Sequence, residues 1–257
     1  MIGNEFGFRA ESAEVFKRVH RLLGVFERPL RARPSKTYSL ATRDDKLTLY
    51  RDCKYITSQS ESGVVIMRLL AEMNRAAVEA TTRFAVHAAV VGDDDRVIVV
   101  AADSGGGKST LAAALLQQGL RYGSDEALCL DDDALVVNYP KPISLDPWSW
   151  KMLGLTADES FSDEAPFAAS ELGAGYLEEG RVPTDLLIPV FTDGPPSLTP
   201  LPPSAVVATL LQLSFNHYRD GARAFALSTR LARVMRAWHV EVGNPIETAK
   251  HILETLS

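Results

Sequence analysis

Residues 97–116 read VIVVAADSGGGKSTLAAALL, a run of β-branched residues that feeds a glycine turn and opens an alanine- and leucine-rich helix. The turn meets the pattern Ala/Gly-x-x-x-x-Gly-Lys-Ser/Thr through Ala102, Gly107, Lys108 and Ser109. Glycines accept backbone angles that a side chain forbids, so the consecutive N–H groups of residues 104–108 can curl round a phosphate. Lys108 then reaches the β/γ oxygens, Ser109 offers a hydroxyl to Mg²⁺, and the helix N-terminus adds its partial positive charge. The phosphate-cradling set is Ser104, Gly105, Gly106, Gly107, Lys108, Ser109 and Thr110. A strand before and an amphipathic helix after are the context this motif requires. The plainer alternative is a glycine-rich strand-to-helix turn with a solvated lysine.

The flanking strands extend the pattern. RFAVHAAVV precedes the acidic turn GDDDR and VIVVAA, so a hairpin is expected to lead into the loop, with His87 on its first strand. After the helix, Gly119 is a stop signal, and LRYG is an extended segment that ends at Ser124, Asp125 and Glu126. Asp125 lies 17 residues beyond Lys108. An extended segment beside the loop strand would bring its carboxylates to the carboxyl end of the sheet, where α/β proteins bind ligands. ALCL and ALVVN flank the triple aspartate at 131–133, which reads as a hairpin turn or as a metal-holding acid run. Lys141, between prolines in YPKPISL, is a surface lysine or a cation for a phosphate site.

The rest of the chain supplies two flanks. Within residues 1–35, EVFKRVHRLLGVF has helical spacing. YSLATR and LTLYRD alternate round Asp44-Asp45 as a β-hairpin, KYIT adds a strand, and Ser62 is placed to cap a helix whose apolar residues recur near a period of 3.6. Residues 1–80 therefore form a small α+β appendage and 81–257 the core. Downstream, 147–180 is acidic and weakly periodic, with short helices at PWSWKML and near Asp163, and reads as a mobile surface segment. DLLIPVF is a strand, DGPPSLTPLPPS a stiff connector, and AVVATLLQLSF and FALSTRLARVMRAW are helices. HVEV and a helix opened by Pro245 close the chain.

Composition excludes several classes. Lys+Arg 27 against Asp+Glu 33 gives a net charge of −6 without a block of like charges, which speaks against a nucleic-acid partner. Cys53 and Cys129 fit neither a disulfide framework nor a metal cluster, and read as packed small residues in a reducing compartment. MIGNEFGFRAES lacks the layout of a signal peptide, and no apolar run is long enough for a membrane span, so a soluble, cytoplasmic protein is expected. The sequence leaves a homo-oligomer open.

FAVHAAVV followed by VIVVAADSGGGKSTLAAALLQQGLRYGSDE resembles the catalytic core of HPr kinase/phosphorylase and its divergent kinase relatives. The likeness is good over about residues 83–145, weaker over 185–256, and absent from the first 60 or so. It implies an α/β P-loop kinase core of HPr-kinase type, with a mixed sheet flanked by helices, preceded by the small α+β unit. It also implies ATP and Mg²⁺. Carried over by position, Lys108 and Ser109 match the nucleotide and metal residues, Asp125 and Glu126 the acidic pair, and His87 the histidine upstream of the loop. The resemblance assigns Asp125 as base, His87 as its neighbour, and Ser109 with Glu126 as metal ligands. Two departures are visible: Glu126 stands where the HPr enzymes carry aspartate, and their downstream Arg-Gly signature is missing, which puts phosphorolysis in doubt. The chain is more similar to the relatives encoded with peptide-modification systems, so the expected partner is a protein or peptide with a serine or threonine hydroxyl. The rivals are a P-loop NTPase switch, for which no Asn-Lys-x-Asp motif appears, a non-catalytic nucleotide-binding module, and a small-molecule kinase.

Overall fold

The computed structural model describes residues 1–29 and 34–257; residues 30–33, which the sequence counts into the N-terminal appendage, lie outside the described residues. The N-terminal elements are β1 (Phe6–Ala10), α1 (Ala13–Leu23), β2 (Lys36–Arg43), β3 (Lys46–Arg51), β4 (Lys54–Gln59) and α2 (Ser62–Ala80). The strands form one sheet in the order β1-β2-β3-β4, in which β1 runs parallel to β2 and the other pairs are antiparallel. The expected hairpin turns at Asp44 and Asp45, whose φ values of 48° and 58° are both positive, as a two-residue connection demands. β1 carried no local signal. Ser62 does not cap α2: it sits in the first turn, where its hydroxyl accepts a 2.7 Å bond from Arg18, and Glu61 stands at the cap without a side-chain bond. Val65, Leu69, Leu70 and Met73 bury one face of α2, as its periodicity predicts, together with Ile66, whereas Val64, apolar in the same pattern, is exposed.

The remaining chain begins with β5 (Phe84–Val86), β6 (Ala88–Gly92), β7 (Val97–Ala101), α3 (Lys108–Gln117), β8 (Arg121–Ser124), β9 (Leu128–Leu130) and β10 (Val136–Val137). It continues with β11 (Ile143–Leu145), α4 (Pro147–Met152), β12 (Ala165–Phe167), β13 (Asp185–Phe191), β14 (Ser197–Leu201), α5 (Pro203–Gln212), α6 (Gly221–Leu231), β15 (Arg236–Val242) and α7 (Pro245–Thr255). A six-stranded mixed sheet runs β14-β15-β13-β7-β6-β8. β7, β13 and β15 are parallel, while β14, β6 and β8 are each antiparallel to their neighbours. Smaller sheets, β10-β9-β5 and β11-β12, lie beside it. The protein is thus a mixed α/β fold with helices on both faces of its main sheet.

Alternation along β7 explains why all five of its residues are apolar. Ile98 and Val100 enter the cluster built with α2, α3, α7 and the N-terminal sheet; Val97, Val99 and Ala101 enter the cluster built with α5 and α6. A strand covered on both faces has no polar side to show. The same enclosure corrects the expected amphipathic α3: residues 110–116 are all buried, so the helix is apolar on nearly every side. Gly119 ends it as expected. With φ +99° it lets its own N–H reach Leu116 O and that of Leu120 reach Leu115 O, satisfying two orphan carbonyls.

Further expectations change. The helix expected over FALSTRLARVMRAW stops at Leu231, and Arg236, Ala237 and Trp238 open β15 because they pair with β13 and β14. The apolar run 83–91 is two strands, broken at His87, and β5 belongs to a different sheet from β6. β8 does not flank the loop strand, because β6 lies between them; two antiparallel steps restore the direction of β7, so both strands still end at one edge. The acidic 147–180 segment forms the helix α4, but near Asp163 it makes β12, paired with β11, and it buries Phe161, Phe167, Leu172 and Leu177. The proline-rich connector contains β14, an edge strand antiparallel to β15, where Pro200 is tolerated.

One buried charge ties the parallel strands together. Asp185, fully enclosed at the start of β13, accepts from Arg236 Nε at 2.8 Å and Nη2 at 3.0 Å and from the Trp238 indole at 3.1 Å on β15. Cys129 is buried and its thiol is pushed up to about 12, but Cys53 is exposed, contrary to expectation. No helix among the described residues is long and apolar enough to cross a membrane.

Candidate functional site

The loop between β7 and α3 lies at the carboxyl edge of the main sheet. Gly105 and Gly107 have φ values of +79° and +74°, and Gly106 N–H turns back to Asp103 O at 3.0 Å. Gly107 is required twice over. Its angle lies in the left-handed region, and a Cβ placed on it would sit 1.7 Å from Phe191 Cε2 at the end of β13. The first turn of α3 then presents Lys108, Ser109 and Thr110.

β8 delivers the acids to the same place. Lys108 Nζ is buried and donates to Asp125 O at 2.6 Å and to Asp125 Oδ1 at 3.3 Å, while the Ser109 hydroxyl donates to Asp125 Oδ2 at 3.0 Å. Asp125, only 3% exposed, therefore holds both loop side chains at once. Ser124 supports the turn through its hydroxyl, which accepts from Glu126 N and Ala127 N.

Glu126 faces a second set of charges. Lys141 Nζ lies 3.2 Å from its Oε2 and His87 Nδ1 3.9 Å from its Oε1. Burial pushes the Glu126 carboxyl up, but Lys141, His87 and Lys108 together outweigh it and hold the group below its ordinary value. His87 is lowered as well, but for an imidazole that direction favours the uncharged form. Burial, reinforced by the Lys108 charge, lowers its pKa, against the smaller pull of Glu126 and Asp125. The neutral ring donates from Nδ1 to Glu126 O at 3.2 Å and makes an edge-to-face pair with Phe215. Because the folded value is depressed, the neutral ring's stabilising contribution is full above pH 6.5 and declines as the pH falls below it.

These groups line one cavity of about 340 Å³. Its walls also include residues that the sequence did not single out: Asn74 with Met67 and Leu70 on α2, Asp146 and Ser149 at α4, and Glu164 before β12. Lys141 is buried here, not a surface lysine, with its carbonyl accepting from the Tyr122 hydroxyl. Ser104, Gly105, Gly106, Gly107, Lys108, Ser109, Thr110, His87, Asp125 and Glu126 all line this cavity. Neither a family of known proteins nor any curated protein sequence matches this chain.

The triple aspartate lies apart from the cavity, on the turn between β9 and β10. Asp131 Oδ1 accepts from Asp133 N and Leu135 N, each at 2.9 Å, while Asp132 and Asp133 pair with Arg223 and Arg230 of α6. No group of three or more His, Cys, Asp and Glu able to hold a metal occurs among the described residues. Mg²⁺ at a nucleotide site asks for less: one or two carboxylates, a hydroxyl, phosphates and water. Ser109 and Asp125 at 3.0 Å, with Glu126 beside them, fit that donor set. The loop fits a polyphosphate equally well, because the carboxylate of Asp125 already sits where anionic oxygens would engage Lys108 and Ser109.

Proposed function

We propose that this chain is an ATP- and Mg²⁺-dependent kinase of the HPr-kinase type that moves the γ-phosphoryl group to a serine or threonine hydroxyl of a protein or peptide. The observation that carries the proposal is the convergence of Lys108, Ser109 and Asp125 beside a second, charge-balanced acid, Glu126, in a single cavity. Phosphoryl transfer needs positioning and charge neutralisation more than covalent chemistry, and these residue types supply both. Lys108 neutralises the β/γ oxygens, and Lys141 offers a second cation on the far side of the acids. Asp125 takes the hydroxyl proton, with His87 beside the acids in its neutral form. When bound, Mg²⁺ supplies charge neutralisation at the phosphates, and Ser109 with Glu126 would hold it.

One observation favours a second division of labour. The acid that touches the Ser109 hydroxyl is Asp125, whereas the Glu126 carboxylate is engaged by Lys141 and lies near His87. In that reading Asp125 joins Ser109 at the metal and Glu126 takes the proton. The Mg²⁺ dependence of transfer separates the two: the variant that demands more Mg²⁺ for half-maximal rate, Asp125→Asn or Glu126→Gln, has lost the metal ligand.

The class of acceptor is tested by incubating the protein with MgATP and peptides encoded beside it, and looking by mass spectrometry for one added phosphoryl group. Efficient labelling of sugars, nucleosides or free amino acids with no labelled peptide would make it a small-molecule kinase. ATP hydrolysis without any acceptor would favour the NTPase switch, and binding without turnover the non-catalytic nucleotide-binding module.

A further inference from the structure

Two exposed aromatic side chains adjoin residues that line the cavity, Trp148 in sequence and Phe191 by contact, and nothing in the phosphate-loop chemistry uses them. Trp148, 51% exposed, lies between Asp146 and Ser149, both of which line the cavity. Phe191, 37% exposed, packs on Gly107 in the loop itself. Their ring centroids are 6.2 Å apart with planes at 77°, so the pair makes a corner of one face and one edge. Both are held by rigid backbone. Asp146 caps α4 through its Oδ1 to Ser149 N at 2.7 Å, with Pro147 in the first turn, and Phe191 is the last paired residue of β13.

The direction of a bound nucleotide follows from the loop. The lysine of a phosphate loop reaches the β/γ oxygens, and Lys108 Nζ points to Asp125, so the acids lie at that end. Asp125 and Glu126 follow β8, on one side of the loop strand in the sheet, while Phe191 ends β13, its neighbour on the other side. The α-phosphate end therefore leads away from the acids along the first turn of α3. There Thr110 Oγ1 lies 2.7 Å from Oγ of Ser149, the residue that follows Trp148 in α4.

We propose that Trp148 and Phe191 form an aromatic seat for the base of the nucleotide whose phosphates the loop holds. The proposal rests on the phosphate-loop function above and adds to it a base subsite. Ring faces offer a π surface and no pattern of donors and acceptors, so the seat accepts purines by stacking and discriminates little between them. ATP and GTP should bind within a few-fold of each other.

The test compares MgATP, MgGTP and magnesium tripolyphosphate, which lacks base and sugar, by calorimetric titration of the full chain. Trp148→Ala and Phe191→Ala should each weaken both nucleotides on the order of tenfold and leave tripolyphosphate within twofold, the scale of one lost base–aromatic stack. Trp148→Phe should restore most of the affinity. ATP, but not tripolyphosphate, should quench the emission of Trp148, and that difference should vanish in Trp148→Phe. Equal losses for tripolyphosphate and ATP would make the pair structural and overturn the seat, as would unchanged affinities in both variants. Unchanged ATP affinity with a raised acceptor KM would hand the pair to the acceptor, also overturning it. If the unaltered chain binds tripolyphosphate but gains nothing from the base, the seat alone fails. If it binds neither ligand, the phosphate-loop function fails and the seat with it.

Discussion

Two acidic runs follow the phosphate loop within ten residues of each other, and they have opposite fates. Asp125 and Glu126 follow β8, the first buried and the second half-buried, and each carboxylate is met by a lysine that belongs to the cavity. Asp131, Asp132 and Asp133 cross a solvent-facing turn, where one carboxylate folds the turn and two meet arginines of a surface helix. Burial sets the difference in worth. An enclosed carboxylate with a cation at 3.3 Å interacts in a medium of low dielectric, whereas an exposed pair is screened by water and salt. Strand direction sets the difference in place: β8 points its end at the loop, and the β9–β10 turn does not.

The sharpest way to break this comparison is to neutralise the buried acid. Asp125→Asn keeps a partner for Ser109 but removes the charge that occupies Lys108. Nucleotide affinity should stay within a few-fold or rise, while transfer falls by about 10²-fold or more, the scale of a lost proton acceptor or metal ligand. Binding and turnover measured on the same preparation must separate. Loss of both together would reduce Asp125 to a strut for the loop.

Lys108→Ala comes next. Among the described residues the side chain makes polar contacts only to Asp125 and Ser109, so the fold should survive, while MgATP affinity drops by about 10²-fold on losing the cation that faces the β/γ oxygens. Calorimetric titration reads the affinity and thermal unfolding reads the fold. A folded variant that binds MgATP normally would return the loop to a plain strand-to-helix turn.

Lys141→Met sharpens the comparison through pH. In the folded protein Glu126 is held below its ordinary value of 4.5, so its ionised form contributes stability above that pH, and the contribution is lost as the pH falls through the folded value. Without Lys141 the burial that raises Glu126 is opposed only by His87 and Lys108. The acid limb of the pH–rate profile should move up by about one pH unit, with a rate loss of roughly tenfold at its optimum. An unmoved limb would mean that Glu126 does not titrate in the rate-limiting step.

Much of this site was legible because its signals are local. The glycine turn, the strand into it and the stop at Gly119 are each set by neighbours a few residues apart, as is the positive-φ pair at Asp44 and Asp45. Elements that depend on distant partners left no such trace. β1 is a strand because it pairs in parallel with β2, about thirty residues on, and β14 hides behind prolines that an edge strand tolerates. Residues 147–180 read as mobile because Phe161, Phe167 and Leu172 are spaced without a period, yet each is buried. Lys141 was open in the sequence between a surface lysine and a site cation, because only the fold brings Glu126 and the Tyr122 hydroxyl to it. Trp148 and Phe191 are 43 positions apart, and no pattern in the sequence joins them.

The smallest expected effect belongs to the exposed run, and it tests the comparison from the other side. Asp132 is 85% exposed in its side chain and pairs with Arg223 at 2.7 Å, a contact at the surface for which about 0–1 kcal/mol is typical. Asp132→Asn retains the size and an acceptor oxygen, so stability should change by less than about 0.5 kcal/mol and transfer should stay at the unaltered rate. Asp131→Ala provides the control within the same turn. Its carboxylate accepts from two backbone N–H groups, so truncation should cost about 1–2 kcal/mol in chemical unfolding, again without touching transfer. A lost activity in Asp132→Asn with intact stability would relocate the metal to the β9–β10 turn. Since that turn lines no part of the cavity, such a result would require the turn and the loop to meet in a conformation other than this one, and the functional assignment of Asp125 and Glu126 would fall with it.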